Sequence, residues 1–184
     1  MAIYGPYYAS THINGLDTNP SNALGAPNGT VGTYSLTPLI SRTITFGGFG
    51  IAISGGDTLT GMKASLIGYA TPGPVVTNQF VPQMYDAFEE SWVAGATVSG
   101  APLDWPTSLG LITYGNDYTN PYSGTIADLN DVGFFVAIQV QFGGAPQAQT
   151  IAIDSLGLTF YTNGSTDPSG GGPLFRRRRS FRGG

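Results

Sequence analysis

VGFFVAIQVQF, residues 132–142, and TIAIDSLGLTFY, residues 150–161, are the two stretches whose reading decides the fold. In the first, Phe134, Val136, Ile138, Val140 and Phe142 fall on every second position. In the second, Ile151 and Ile153 do so, and after a slip at Asp154-Ser155 the alternation resumes at Leu156, Leu158 and Phe160. A period of two places one face of a strand in a core and the other outside it, and a one-residue slip is what a bulge produces. The connecting residues 143–149, GGAPQAQ, are short enough for the two strands to pair as an antiparallel hairpin.

Working outward, Ser41–Phe46 alternates, and Phe49–Ile53 continues the pattern after a Gly47-Gly48 interruption. Ser54–Asp57 reads as a turn and Thr58–Tyr69 as a second long strand. Phe80–Met84 and Trp92–Val98 read as short strands. Asp86–Glu90 between them is too short to hold a helix without tertiary help. Residues 100–130 are turn-dominated, with Pro102, Trp105-Pro106, Tyr114-Gly115-Asn116 and Asn120-Pro121, and a contact surface is expected there. Residues 1–33 read as an irregular arm whose Tyr and Ile residues at positions 3–8 pin it to a sheet or a neighbour.

Six or seven strands with almost no helix predict an all-β, antiparallel two-sheet sandwich, jelly-roll-like in its wiring, with an extended N-terminal arm and a basic C-terminal tail. The expected division is an arm at 1–33, a sandwich at 34–162, a Gly/Pro/Ser linker at 163–173 and a Phe/Arg-rich anchoring tail at 174–184.

Composition agrees. A chain of 184 residues with 41% hydrophobic content can fill one core, while charged residues reach only 10% against the usual 25% or so. Cysteine is absent, which excludes disulfides and thiolate chemistry. The first residues carry neither a basic segment nor an apolar core, so no secretory leader is expected, and no apolar run is long enough to span a membrane as a helix. Up to Pro173 only Arg42 and Lys63 are cationic, against all 11 acidic residues; Arg176, Arg177, Arg178, Arg179 and Arg182 follow. The body is acidic and the tail basic.

Catalytic groups are few, and the chain is expected to be non-enzymatic. His12 is the only histidine and has no metal-ligand partner at suitable spacing, so the expected site list has no catalytic and no metal residues. Glu89 and Glu90 are neighbours, which on a strand face opposite ways and form no glycosidase pair by themselves. The glycine-rich pieces match no nucleotide-binding pattern. No cofactor is expected; the weak exception is calcium, for which Asn116, Asp117, Asp128, Asn130 and Asp131 supply oxygen ligands, although the same residues are ordinary turn formers.

Two surfaces are candidates for binding. Trp105, Tyr114, Asn116, Asp117 and Tyr118, in the turn-rich stretch, suit a glycan or protein partner. In the tail, Leu174, Phe175, Arg176, Arg177, Arg178, Arg179, Phe181 and Arg182 suit docking onto a carboxylate-rich protein neighbour, because a purely solvated tail has no use for its apolar residues. Five positive charges bind nucleic acid only weakly.

The order of NPSNALGAPNG at 19–29, FGIAISGGDTLTGM at 49–62, Trp105-Pro106, Thr113-Tyr114-Gly115, DVGFFV at 131–136 and Ile153–Tyr161 resembles a loose family of β-sandwich proteins from the structural regions of tailed bacteriophages and prophages. The resemblance covers about residues 16–162. It implies a virion location, assembly with capsid or tail subunits as a homo-oligomer, and a role as capsid decoration, head spike or tail-associated protein. The alternative is a carbohydrate-binding or host-adhesion module of a phage particle, with a host-surface glycan as ligand.

Overall fold

The computed structural model describes residues 1–36, 42–71, 75–86, 91–94, 103–116, 124–142 and 149–164. Among these residues the strands are β1 (Ala2–Tyr8), β2 (Thr11–Asn14), β3 (Gly32–Leu36), β4 (Arg42–Gly47), β5 (Leu59–Thr71), β6 (Val75–Asp86), β7 (Ser91–Ala94), β8 (Leu103–Asp104), β9 (Gly110–Asn116), β10 (Phe134–Phe142) and β11 (Gln149–Thr162). A 3₁₀ turn at Pro20–Ala23 and a single helical turn, α1 (Ile126–Leu129), complete the set.

The strands form two antiparallel sheets. In the first, β11 and β5 lie at the centre, β9 flanks β5, and β1 and β3 lie end to end along the other side of β11. The second runs β2, β4, β10, β6, with β7 and β8 along the far side of β6. From β1 to β6 each step in the chain changes sheet, and β9, β10 and β11 do so again. This is the all-β, jelly-roll-like sandwich that the alternating pattern predicts.

The two deciding stretches do not form a hairpin. β10 is central in one sheet and β11 in the other. Phe134, Val136, Ile138 and Val140 from β10 and Ile151, Ile153, Leu156, Leu158 and Phe160 from β11 belong to one buried cluster. Paired side by side, the two strands would turn both apolar sets to one side of one sheet with nothing to cover them. Facing each other across the core, they cover one another.

The slip at Asp154-Ser155 is a β-bulge, with the register to β5 breaking between Ile153 and Ser155. Residues 49–53 form no ladder, although Phe49, Ile51 and Ile53 are buried. Their backbone is held instead by the Asn130 side chain: Oδ1 accepts from Ile53 N–H at 2.9 Å and Nδ2 donates to Ile53 C=O at 2.8 Å. Alternation alone thus marks the buried residues here without requiring a strand.

The first 33 residues are more regular than they read, since β1 pairs with β11, β2 with β4 and β3 with β11. The Tyr7 hydroxyl donates to Ala52 C=O at 3.0 Å. The Tyr4 hydroxyl (2.8 Å) and Thr162 Oγ1 (2.7 Å) both donate to Asp57 Oδ2, tying the start of β1, the turn before β5 and the end of β11 together. In the turn-rich stretch, β9 pairs with β5 from Gly110 to Asn116. Gly115 takes φ +74°, and a Cβ there would lie 2.2 Å from Met62 C=O, so the strand closes on β5 only with glycine at this position.

The hydrogen bond to Asp57 first, then desolvation and the carboxylate charge, raise the Tyr4 pKa above the ordinary 10.0. A raised pKa means that the contribution is complete below about pH 10 and is lost as pH rises through the folded-state value. Tyr4→Phe is expected to lower the Tm at neutral pH and to flatten the fall in Tm above pH 10, as followed by circular dichroism.

Candidate functional site

With one face of each sheet committed to the core, chemistry directed outward is left to the outer faces and the loops. On β5 the half-buried Lys63, Ser65, Ile67 and Tyr69 alternate with Met62, Ala64, Leu66 and Ala70, which are buried. The register places Lys63 between Thr159 and Gly115, Ser65 between Gly157 and Thr113, Ile67 between Ser155 and Leu111, and Tyr69 beside Ala152. β1 adds Ile3 beside Tyr161 and Tyr8 beside Gly157. Leu111 and Ile3 are 66% and 61% exposed.

This face carries three half-exposed tyrosines. Tyr161 stands on β11, Tyr8 at the level of Gly157 and Tyr69 at the level of Ala152. Allowing for the bulge, successive rings are roughly 13 Å apart along the strand direction. Tyr8 rests on the glycine beside it: a Cβ at Gly157 would come within 2.9 Å of its ring. Thr159 places a hydroxyl between the levels of Tyr161 and Tyr8, and Ser65 and Thr113 stand across the sheet at the level of Tyr8. Lys63 is the formal charge on β5 and pairs with no carboxylate among the described residues. None of these tyrosines stands out in composition, yet Lys63, Ser65, Ile67 and Tyr69 follow the outward phase of a strand that was legible, which is the signal that finds them.

The aromatic residues expected to make contacts lie elsewhere. Trp105 is 3% exposed and Tyr114 6%, both within the core cluster. Trp105 covers Gly68, where a Cβ would come within 3.1 Å of its ring, so it closes the core and presents no face for stacking. Asn116 ends β9 opposite Met62, while Asp117 and Tyr118 lie outside the described residues. So do the tail residues Leu174–Arg182 and the pair Glu89 and Glu90.

Asp57, Asp128, Asp131, Asp154 and the histidine each hold structure. Asp128 and Thr125 form a capping box on α1, with Thr125 N–H donating to Asp128 Oδ2 at 2.6 Å and Asp128 N–H to Thr125 Oγ1 at 3.2 Å. Asp131 Oδ1 accepts from Gly133 N–H at 2.7 Å, and Asn130 is occupied with Ile53. Of the five residues weighed for calcium, three are therefore turned to backbone partners, and no group of metal-holding side chains occurs among the described residues. His12 Nε2 accepts from Leu16 N–H at 3.0 Å, and its ring meets Phe46 edge-on at 5.7 Å. Asp154, buried in the bulge, accepts from Asn28 and Gly29 N–H at 3.1 Å each.

Two cavities lie at one end of the sandwich beside α1. One, of about 270 Å³, is lined by Phe49, Ile51, Leu129 and Phe134 with Ser10 at its rim. The other, of about 630 Å³, reaches Asp57, whose Oδ2 is taken by Tyr4 and Thr162. Neither gathers outward-facing aromatic and hydroxyl groups as the first sheet does.

No protein-family model and no curated protein matches the chain. Among solved structures, a CBM4 module matches at 17% identity and TM-score 0.45, over 86% of this chain and 92% of that one. The N-terminal cellulose-binding domain of Cellulomonas fimi β-1,4-glucanase C matches at 15% identity and TM-score 0.43, over 77% and 90%. At these values the likeness is one of sandwich architecture alone. Both matched structures are carbohydrate-binding modules, not virion proteins, which corrects the bacteriophage resemblance together with the virion location and capsid or tail assembly role that it implied. The motifs that suggested it, such as Asn28-Gly29 against Asp154 and Gly115 against Met62, serve here as turn and close-packing determinants.

Removing the bulge carboxylate tests its framework role. Asp154→Ala leaves two backbone N–H groups without their charged acceptor and is expected to cost about 2 kcal/mol in urea unfolding.

Proposed function

We propose that this protein is a non-enzymatic binding module that takes a glycan chain across the outer face of its first sheet. One observation carries the reading: Tyr161, Tyr8 and Tyr69 follow one another along β11, with Thr159 between the first two and Ser65 and Thr113 across the sheet from Tyr8. An aromatic face suits the apolar side of a pyranose, and hydroxyl groups suit its equatorial hydroxyls. Both are mounted on strands, whose backbone is held by ladders on both sides of β5 and β11. A protein-docking patch concentrates its apolar residues at a centre and its polar ones at a rim. Here Lys63 and Ser65 share β5 with Ile67 and Tyr69, and Thr113 shares β9 with Leu111, so polar and apolar groups stand side by side on the same strands.

The ring positions also explain why the surface costs little in stability. Tyr8 fills the space above Gly157, and Tyr69 and Tyr161 are half-buried, so each ring keeps contact with the sheet while offering the rest of its area to a ligand.

Affinity electrophoresis through gels containing soluble polysaccharides tests this directly. The full chain is expected to be retarded by at least one polymer, and Tyr69→Ala and Tyr161→Ala are each expected to weaken that binding about tenfold with little loss of stability. Retardation unchanged in both variants would remove the outer face as the site. Trp105→Ala is expected to act differently, costing about 3–5 kcal/mol of stability by emptying a core position.

A further inference from the structure

Building on the reading of this face as a glycan surface, we infer that the glycan is acidic, and that Lys63 receives its carboxylate or sulfate groups.

Lys63 is one of only two cationic residues before the tail, on a body holding all 11 acidic residues of the chain. Chance placement in loops would be unremarked, but Lys63 sits on β5, a central strand of its sheet. Lysine is common on edge strands, where it blocks unwanted pairing; a central strand has no such need. Its ammonium makes no ion pair among the described residues, while Asp57, Asp128, Asp131 and Asp154 hold hydrogen bonds of their own.

The surroundings leave room for a ligand group. Across the sheet Lys63 has Thr159 on one side and Gly115 on the other, and along its own strand Gly61 precedes it in the same outward phase. Gly115 puts no side chain beside the ammonium, and Thr159 adds a hydroxyl next to it. Tyr161, opposite Gly61, borders the same space. An anionic substituent on a sugar stacked at Tyr161 therefore meets a cation and a hydroxyl on the neighbouring strand positions. The net negative charge of the body does not cancel this, because at physiological salt the screening length is about 8 Å and only charges near Lys63 count.

The two sources of such anionic groups, uronates and sulfate esters, are separated by the choice of probe. Calorimetric titration at physiological salt would compare polygalacturonate with its methyl-esterified form, and chondroitin sulfate with its desulfated form. At least one acidic polymer is expected to bind about tenfold more tightly than its matched counterpart with fewer charges. Lys63→Gln should erase that difference while leaving the binding of the uncharged methyl-esterified polymer unchanged, and Lys63→Arg should retain it. Equal binding within both pairs, or a preference unaffected by Lys63→Gln, overturns the acidic-ligand inference. The glycan reading itself survives that result as long as Tyr69→Ala and Tyr161→Ala still weaken binding; if no polymer of either kind binds, both fall together.

Discussion

Everything in this fold depends on β11 being covered on all sides. It pairs with β5 along one edge and with β1 and β3 along the other, and its inward residues lie in the core against those of β10. A fourteen-residue strand with two satisfied edges is held rigidly, and so is whatever is mounted on its outer face. The bulge at Asp154 interrupts its ladder, and it is used: the displaced carboxylate reaches out and gathers the Asn28-Gly29 turn, fixing the loop that leads from the 3₁₀ turn into β3. The N-terminal segment is therefore built into the sandwich through ladder bonds, Asp57 and Asp154, which makes it part of the sheet and not an appendage.

The sequence made the central strands legible because burial of one face imposes a period of two over many residues. Val132–Phe142 and Thr150–Tyr161 map onto β10 and β11, and Thr58–Tyr69 onto β5, nearly as read. What it did not specify was partnership. A seven-residue link spans either the distance of about 5 Å between paired strands or the distance of about 10 Å between stacked sheets, so its length could not distinguish a hairpin from a crossing. The edge strands β1, β3 and β9 were missed for a related reason: each is short and interrupted by glycine or proline, and gains its regularity from the long strand beside it. Phe49–Ile53 erred in the opposite sense, since inward residues on an irregular segment bracketed by Asn130 imitate the pattern of a strand.

The candidate site was less legible than the fold, and the reason is physical. Aromatic residues in turn-rich sequence suggest exposure, but a large ring beside a glycine on a core-facing strand position fills space that nothing else fills, and Trp105 over Gly68 does so. The tyrosines that do face outward belong to regular strands, where sequence alone cannot say which phase is the inner one until the sheets are assembled. Tyr8 illustrates the point: its role depends on lying across from Gly157, a residue 149 positions away.

That leaves the question of why a sheet should keep a lone ammonium in such a place. A lysine flanked by carboxylates would add little beyond a screened surface pair, and one at a sheet edge would serve to repel other strands. Lys63 stands on a central strand and makes no ion pair among the described residues, while Asp57, Asp128 and Asp131 are drawn into turn and cap hydrogen bonds. The result separates two scales of electrostatics in one small domain: a long-range negative field from the body as a whole, which favours solubility, and a short-range positive point set among rings and hydroxyls. A neutral sugar would gain from the rings and hydroxyls alone. Only a ligand carrying negative charge uses all three kinds of group that the face presents, and it does so at contact distance, where the field of the body is screened and that of Lys63 is not.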